Sequence, residues 1–106
     1  MATDWAADIK KYAPKADDAV VAKLLSTYRL VLSNRDSAYV AASDAAEVAT
    51  VREKFLKGKL GLAKDDATLD AAITDVAAVM KDDRTKSRAT FYYLLAEKFG
   101  KLDVFK

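Results

Sequence analysis

The sequence predicts an all-α fold: a compact bundle of about five helices with the C-terminal helix at its centre. Three observations carry this. Alanine occurs 21 times in 106 residues, while three Gly and one Pro stand only at boundary-like positions, which favours helices joined by short turns. Apolar residues recur at i, i+4 and i+7 along most of the chain, the period of a helix with one buried face. One run, Phe91-Tyr92-Tyr93-Leu94-Leu95-Ala96, is apolar around the whole helix circumference and has to be enclosed by its neighbours. A chain of this length buries about two-thirds of its extended surface, enough for one core and not for two. With no linker, repeat or low-complexity stretch, residues 1–106 read as one helical domain.

The first helix is predicted from Thr3, a good N-cap, to Ala13, where Pro14 restricts the residue before it. Trp5, Ile9 and Tyr12 share its inner face. The second starts near Asp17, which supplies a cap. A stripe of Val20, Val21, Leu24, Leu25, Tyr28, Val31 and Leu32 carries it unbroken to Asn34. Residues 37–42 read as a short helix. The third long helix begins at Ser43 or Asp44, where Asp44 and Glu47 resemble a capping box. Val48, Val51, Phe55 and Leu56 form its inner face, and it ends around Lys57 to Lys59, with Gly58 and Gly61 as candidate C′ residues. A fourth begins at Asp65 or Asp66 and buries Leu69, Ile73, Val76 and Met80. The fifth begins between Asp83 and Thr85 and stops at Gly100, after which Leu102, Val104 and Phe105 fold back over the end of the core.

The chemistry available is narrow. The chain has neither cysteine nor histidine, which excludes disulfides, thiolate zinc sites, haem ligation through His, and nucleophiles activated by His. With 18 basic and 16 acidic side chains, a net charge of +2, the surface is mixed rather than a single-sign field for nucleic acid. The pairs Asp17-Asp18, Asp65-Asp66 and Asp82-Asp83 sit at expected helix starts, and adjacent helical residues point about 100° apart, so they read as caps rather than an acid–base couple. No stretch supplies the alternating oxygen ligands of a calcium loop, and neither a metal nor a cofactor is expected. The aromatic residues at helical spacing read as core rather than base-stacking platforms. Lys54, Lys57, Lys59 and Lys64 complement the dipole at the end of the third helix. The N-terminus has an acid, Asp4, where a signal peptide carries basic residues. The longest apolar run falls far short of the roughly 20 residues a membrane span needs. A soluble cytoplasmic protein is expected.

The stretch Lys81-Asp82-Asp83-Arg84-Thr85-Lys86-Ser87-Arg88, continuing through Phe91 to Phe105, forms a recognisable pattern. Together with Asp8-Ile9-Lys10-Lys11-Tyr12 and Arg52-Glu53-Lys54-Phe55-Leu56, it resembles the bacterial family of domain of unknown function 2853. The resemblance covers nearly the entire chain, and Phe91 to Phe105 is its most specific part. It implies a small bacterial protein standing alone as one domain, and it carries over no catalytic residue.

Two candidate sites follow from the residues themselves. Tyr92, Tyr93, Leu102, Val104 and Phe105 form a candidate contact surface, for a protein partner or for a second copy. Arg84, Thr85, Lys86, Ser87 and Arg88 form a candidate anion site. Three cations in the first turn of the fifth helix oppose its dipole, and an anion would relieve the conflict. Internal neutralisation by a carboxylate is the competing explanation. The function expected is therefore a non-catalytic domain for protein interaction or self-association, with neither membrane nor nucleic acid as partner. The alternative is a weak nucleic-acid or phosphate-ligand binder using the basic start of the last helix.

Overall fold

The computed structural model describes residues 5–34, 37–82 and 86–105. Among these residues the fold is all-α apart from one two-residue antiparallel ribbon. Helix α1 (Trp5–Tyr12) buries Ile9 completely, with Trp5 and Tyr12 half-buried beside it, and ends just before Pro14. Its predicted cap, Thr3, lies outside the described residues.

The predicted second helix is two helices. Asp17 caps α2 (Asp18–Thr27), its carboxylate accepting from the Ala19 N–H at 2.8 Å. The backbone leaves helical geometry at Tyr28 (φ −106°, ψ 20°) before α3 (Arg29–Ser33) begins. Thr27 donates its hydroxyl to the Lys23 carbonyl at 2.7 Å, back-bonding of the kind that bends helices. Tyr28 N–H still donates to Leu24, and Leu32 N–H to Tyr28. The i, i+4 apolar period therefore runs through the break and hides it.

Residues 37–42 do not form a helix. Tyr39–Val40 is a strand, β1, paired antiparallel with β2 (Lys86–Ser87) in the register Tyr39 with Ser87 and Val40 with Lys86. The Ala38 carbonyl accepts from the Arg88 N–H at 2.8 Å. These backbone groups find partners from a distant segment, which a local helical turn would have withdrawn.

The third long helix changes type midway. Asp44 caps α4 (Ala45–Thr50), accepting from the Ala46 N–H at 2.9 Å, and a π-helix continues over Val51–Lys59. Only half of the capping box is present, because the Asp44 N–H donates to Ala41 and Glu47 turns to Arg88. Val51, Phe55, Leu56 and Leu60 are all buried. At 3.6 residues per turn Val51 and Leu60 would point to opposite sides; at about 4.4 per turn they share one. Gly61, at φ 65°, makes the stop; Gly58 lies inside the π-helix.

Asp65 caps α5 (Asp66–Val79), and Leu69, Ile73, Val76 and Met80 are buried as predicted. An ion network joins its first turns to the π-helix. Arg52 bonds both Asp70 oxygens at 3.0 and 3.1 Å, and Lys57 reaches Glu53 at 3.0 Å and Asp66 at 2.7 Å. The hydrogen bonds to these cations hold the Glu53 and Asp66 carboxyls below their ordinary range.

The last helix, α6 (Arg88–Lys98), occupies the centre. Every residue from Arg88 to Ala96 is buried, and α1, α2, α5, the ribbon and the terminal turn all pack around it. It starts later than the predicted 83–85, because the chain is extended through Ser87, whose hydroxyl accepts from the Thr90 N–H at 3.3 Å as the cap. Asp82 therefore does not sit at the helix start, and Asp83 lies outside the described residues. Gly100 (φ 65°) closes the helix, with Lys101 N–H donating to Ala96 and Gly100 N–H to Glu97, the paired bonds of a Schellman stop. A 3₁₀ turn, Leu102–Phe105, then brings Phe105 into the core.

Candidate functional site

The described residues of the basic segment, Lys86, Ser87 and Arg88, stand in three different surroundings. Arg84 and Thr85 lie outside the described residues, Lys86 is in β2 and half-buried, and Ser87 is the buried cap of α6. Arg88 points inward, with its side chain 8% exposed. Its guanidinium donates to the Ser37 carbonyl at 2.6 Å, the Tyr92 hydroxyl at 2.9 Å, the Tyr39 carbonyl at 3.4 Å and the Glu47 carboxylate. Burial opposes its charge, but the Tyr92 and Glu47 contacts outweigh this and push the guanidinium pKa up. The carboxylate facing Arg88 is thus supplied by α4. Among the described residues, the structure does not gather Lys86, Ser87 and Arg88 around a shared outward-facing point.

The proposed contact surface is also rearranged. Tyr92, Tyr93 and Phe105 are 5%, 2% and 0% exposed, so they line the core rather than an outer patch; Leu102 and Val104 are half-buried against it. The reason is an aromatic cluster. Phe55 stacks on Tyr92 with ring centroids 3.8 Å apart, and Tyr28 meets Tyr92 edge-on at 5.1 Å. Phe105 lies 6.4 Å from both Tyr28 and Phe55, with the Lys59 ammonium 5.5 Å over its ring. Burial raises the pKa of the Tyr28 and Tyr92 hydroxyls, opposed in each case by the Arg88 charge.

The surface feature left by this packing was not predicted. A solvent-open groove of about 280 Å³ lies between α5 and α6, lined by Asp75, Val76, Val79, Leu94, Glu97 and Lys98. Val79 stands four residues from Asp75 and three from Val76, and Leu94 three from Glu97 and four from Lys98, spacings that set each of these pairs side by side on its helix. Val79 is 58% exposed. Lys98 reaches Asp75 at 3.3 Å, while exposed Glu97 enters no ion pair among the described residues. The second large exposed apolar residue among the described ones is Leu30, 78% exposed on α3 beside exposed Arg29. A signal for both was present. Val79 stands off the series Leu69, Ile73, Val76, Met80, and Leu30 stands off the stripe of the second helix.

Among the described residues, no group of three or more acids is placed to hold a metal ion, and no helix is long and apolar enough to cross a membrane. A family model described as protein of unknown function (DUF2853) matches residues 4–103. A search of curated proteins gives no match.

Proposed function

For a chain that belongs to the DUF2853 family, we propose the role of a non-catalytic protein-interaction domain whose contact site is the α5–α6 groove. The observation that carries the reading is Val79, a large apolar side chain 58% exposed in a concavity with Val76 and Leu94. Exposed apolar surface in water is unfavourable at roughly 25 cal/mol per Å², and a partner side chain seated there recovers that term. Charges of both signs border the apolar floor, the arrangement of a contact with an apolar centre and a polar rim. Lack of Cys and His removes the commonest nucleophiles and bases from any catalytic alternative. Site-specific photocrosslinking in the producing cell tests the reading. A photoreactive residue at Val79 is expected to give discrete protein adducts that the same residue at exposed Lys23 does not give. Equal patterns at both positions, or none, would reject it.

A further inference from the structure

Resting on that reading, we propose that the occupant of the groove is a second copy of this chain, docked head to tail. Leu30 of one copy seats on Val76, Val79 and Leu94 of the next, and its neighbour Arg29 pairs with Glu97. Leu30 and Val79 are the two large apolar side chains most exposed to solvent among the described residues. They differ in shape. Leu30 projects from α3, a short helix packed chiefly on α2, whereas Val79 lines a concavity between α5 and α6. At 78% exposure Leu30 is not seated in the groove of its own chain.

Charge argues for the same pairing. The groove carries Asp75, Glu97 and Lys98; Lys98 is matched by Asp75, so one negative charge is left at Glu97. Arg29, exposed and without an ion pair among the described residues, brings the missing positive charge on the residue next to the apolar one. A contact of groove against groove would seat neither Leu30 nor Arg29 in it. Docked head to tail, each copy offers its neighbour a different surface, and such a heterologous contact extends into a ring or an open chain rather than stopping at a dimer. One apolar side chain with one ion pair makes a small interface, which places it among weak, concentration-dependent contacts.

Sedimentation velocity from micromolar to millimolar protein at low salt reads the outcome. The full chain is expected to gain average mass steadily without a plateau at two copies. Leu30→Asp and Val79→Asp, both at exposed positions and checked for unchanged helical circular dichroism, are each expected to remain monomeric. Mixed in equal amounts they are expected to form a one-to-one dimer that grows no further, because one retains the groove and the other the knob. Arg29→Glu is expected to weaken assembly by about tenfold, and Arg29→Glu/Glu97→Arg in one chain to restore it. A wild-type chain that stays monomeric at millimolar concentration, or a mixture that forms no dimer, overturns the proposal. Adducts from Val79 to a different protein, with no self-assembly, would overturn this inference and leave the interaction reading standing.

Discussion

Arg88 is the side chain whose surroundings are most demanding. Its guanidinium serves four acceptors from three separate parts of the chain: Ser37 and Tyr39 around β1, Glu47 in α4, and Tyr92 one turn along its own helix. Truncation leaves two carbonyls and a partly buried carboxylate without their donor, so Arg88→Ala is expected to cost about 3 kcal/mol, read as a lower urea midpoint. Arg88→Lys should recover little of this, since an ammonium cannot spread its donors across a planar fork. The phenols beside it make a separate prediction. Burial raises the Tyr28 and Tyr92 pKa values, so the folded state holds those protons above pH 10, where the unfolded chain releases them. Stability is therefore unaffected below that pH and falls as pH rises through it. Tyrosinate absorbance from these two rings should appear together with loss of helical circular dichroism; titration of both in an intact fold would contradict their burial.

Elements were legible where their marks are local. α5 carries its cap and four buried apolar residues within consecutive turns, and the structure reproduces each of them. The end of α6 was equally plain, because Gly100 stands where a left-handed residue is needed. Marks that depend on distant partners were not legible. A two-residue strand has no period to detect, and Tyr39 finds Ser87 only after the chain has folded. The sequence sets Arg88 beside Arg84 and Lys86, whereas the carboxylate that meets it is on Glu47. The π-helix was hidden for another reason: Val48, Val51 and Phe55 fit an ordinary helix, and Leu60, which does not, lay beyond the expected end. Gly58 inside the π-helix and Gly61 beyond its end differ in what they require. A Cβ at Gly58 would sit 3.4 Å from the Glu53 carbonyl, an ordinary contact, while Gly61 has φ 65°. Gly58→Ala should raise stability by about 0.5 kcal/mol by restricting the unfolded chain, and Gly61→Ala should lower it by about 1 kcal/mol. Thermal melts of the two variants should move in opposite directions.

For the molecule as a whole, the position of α6 decides how damage spreads. Leu95 is completely buried on the helix that most other elements touch, so Leu95→Ala is expected to cost on the order of 2–5 kcal/mol. Out of a typical total of about 5–15 kcal/mol, that lowers the melting temperature by many degrees, and differential scanning calorimetry would show it. A shift of only a degree or two would mean that neighbours close over the gap. The same placement bears on how the chain is made. Ribosomes synthesise α1 through α5 before α6, so the apolar faces of Ile9, Leu24, Phe55 and Ile73 emerge ahead of the helix they pack around. Until Phe91 to Ala96 leave the exit tunnel, these faces have each other, or a chaperone, for company. Productive folding therefore waits for the last large segment of the core, and a nascent chain stalled before Arg88 is the species most exposed to aggregation.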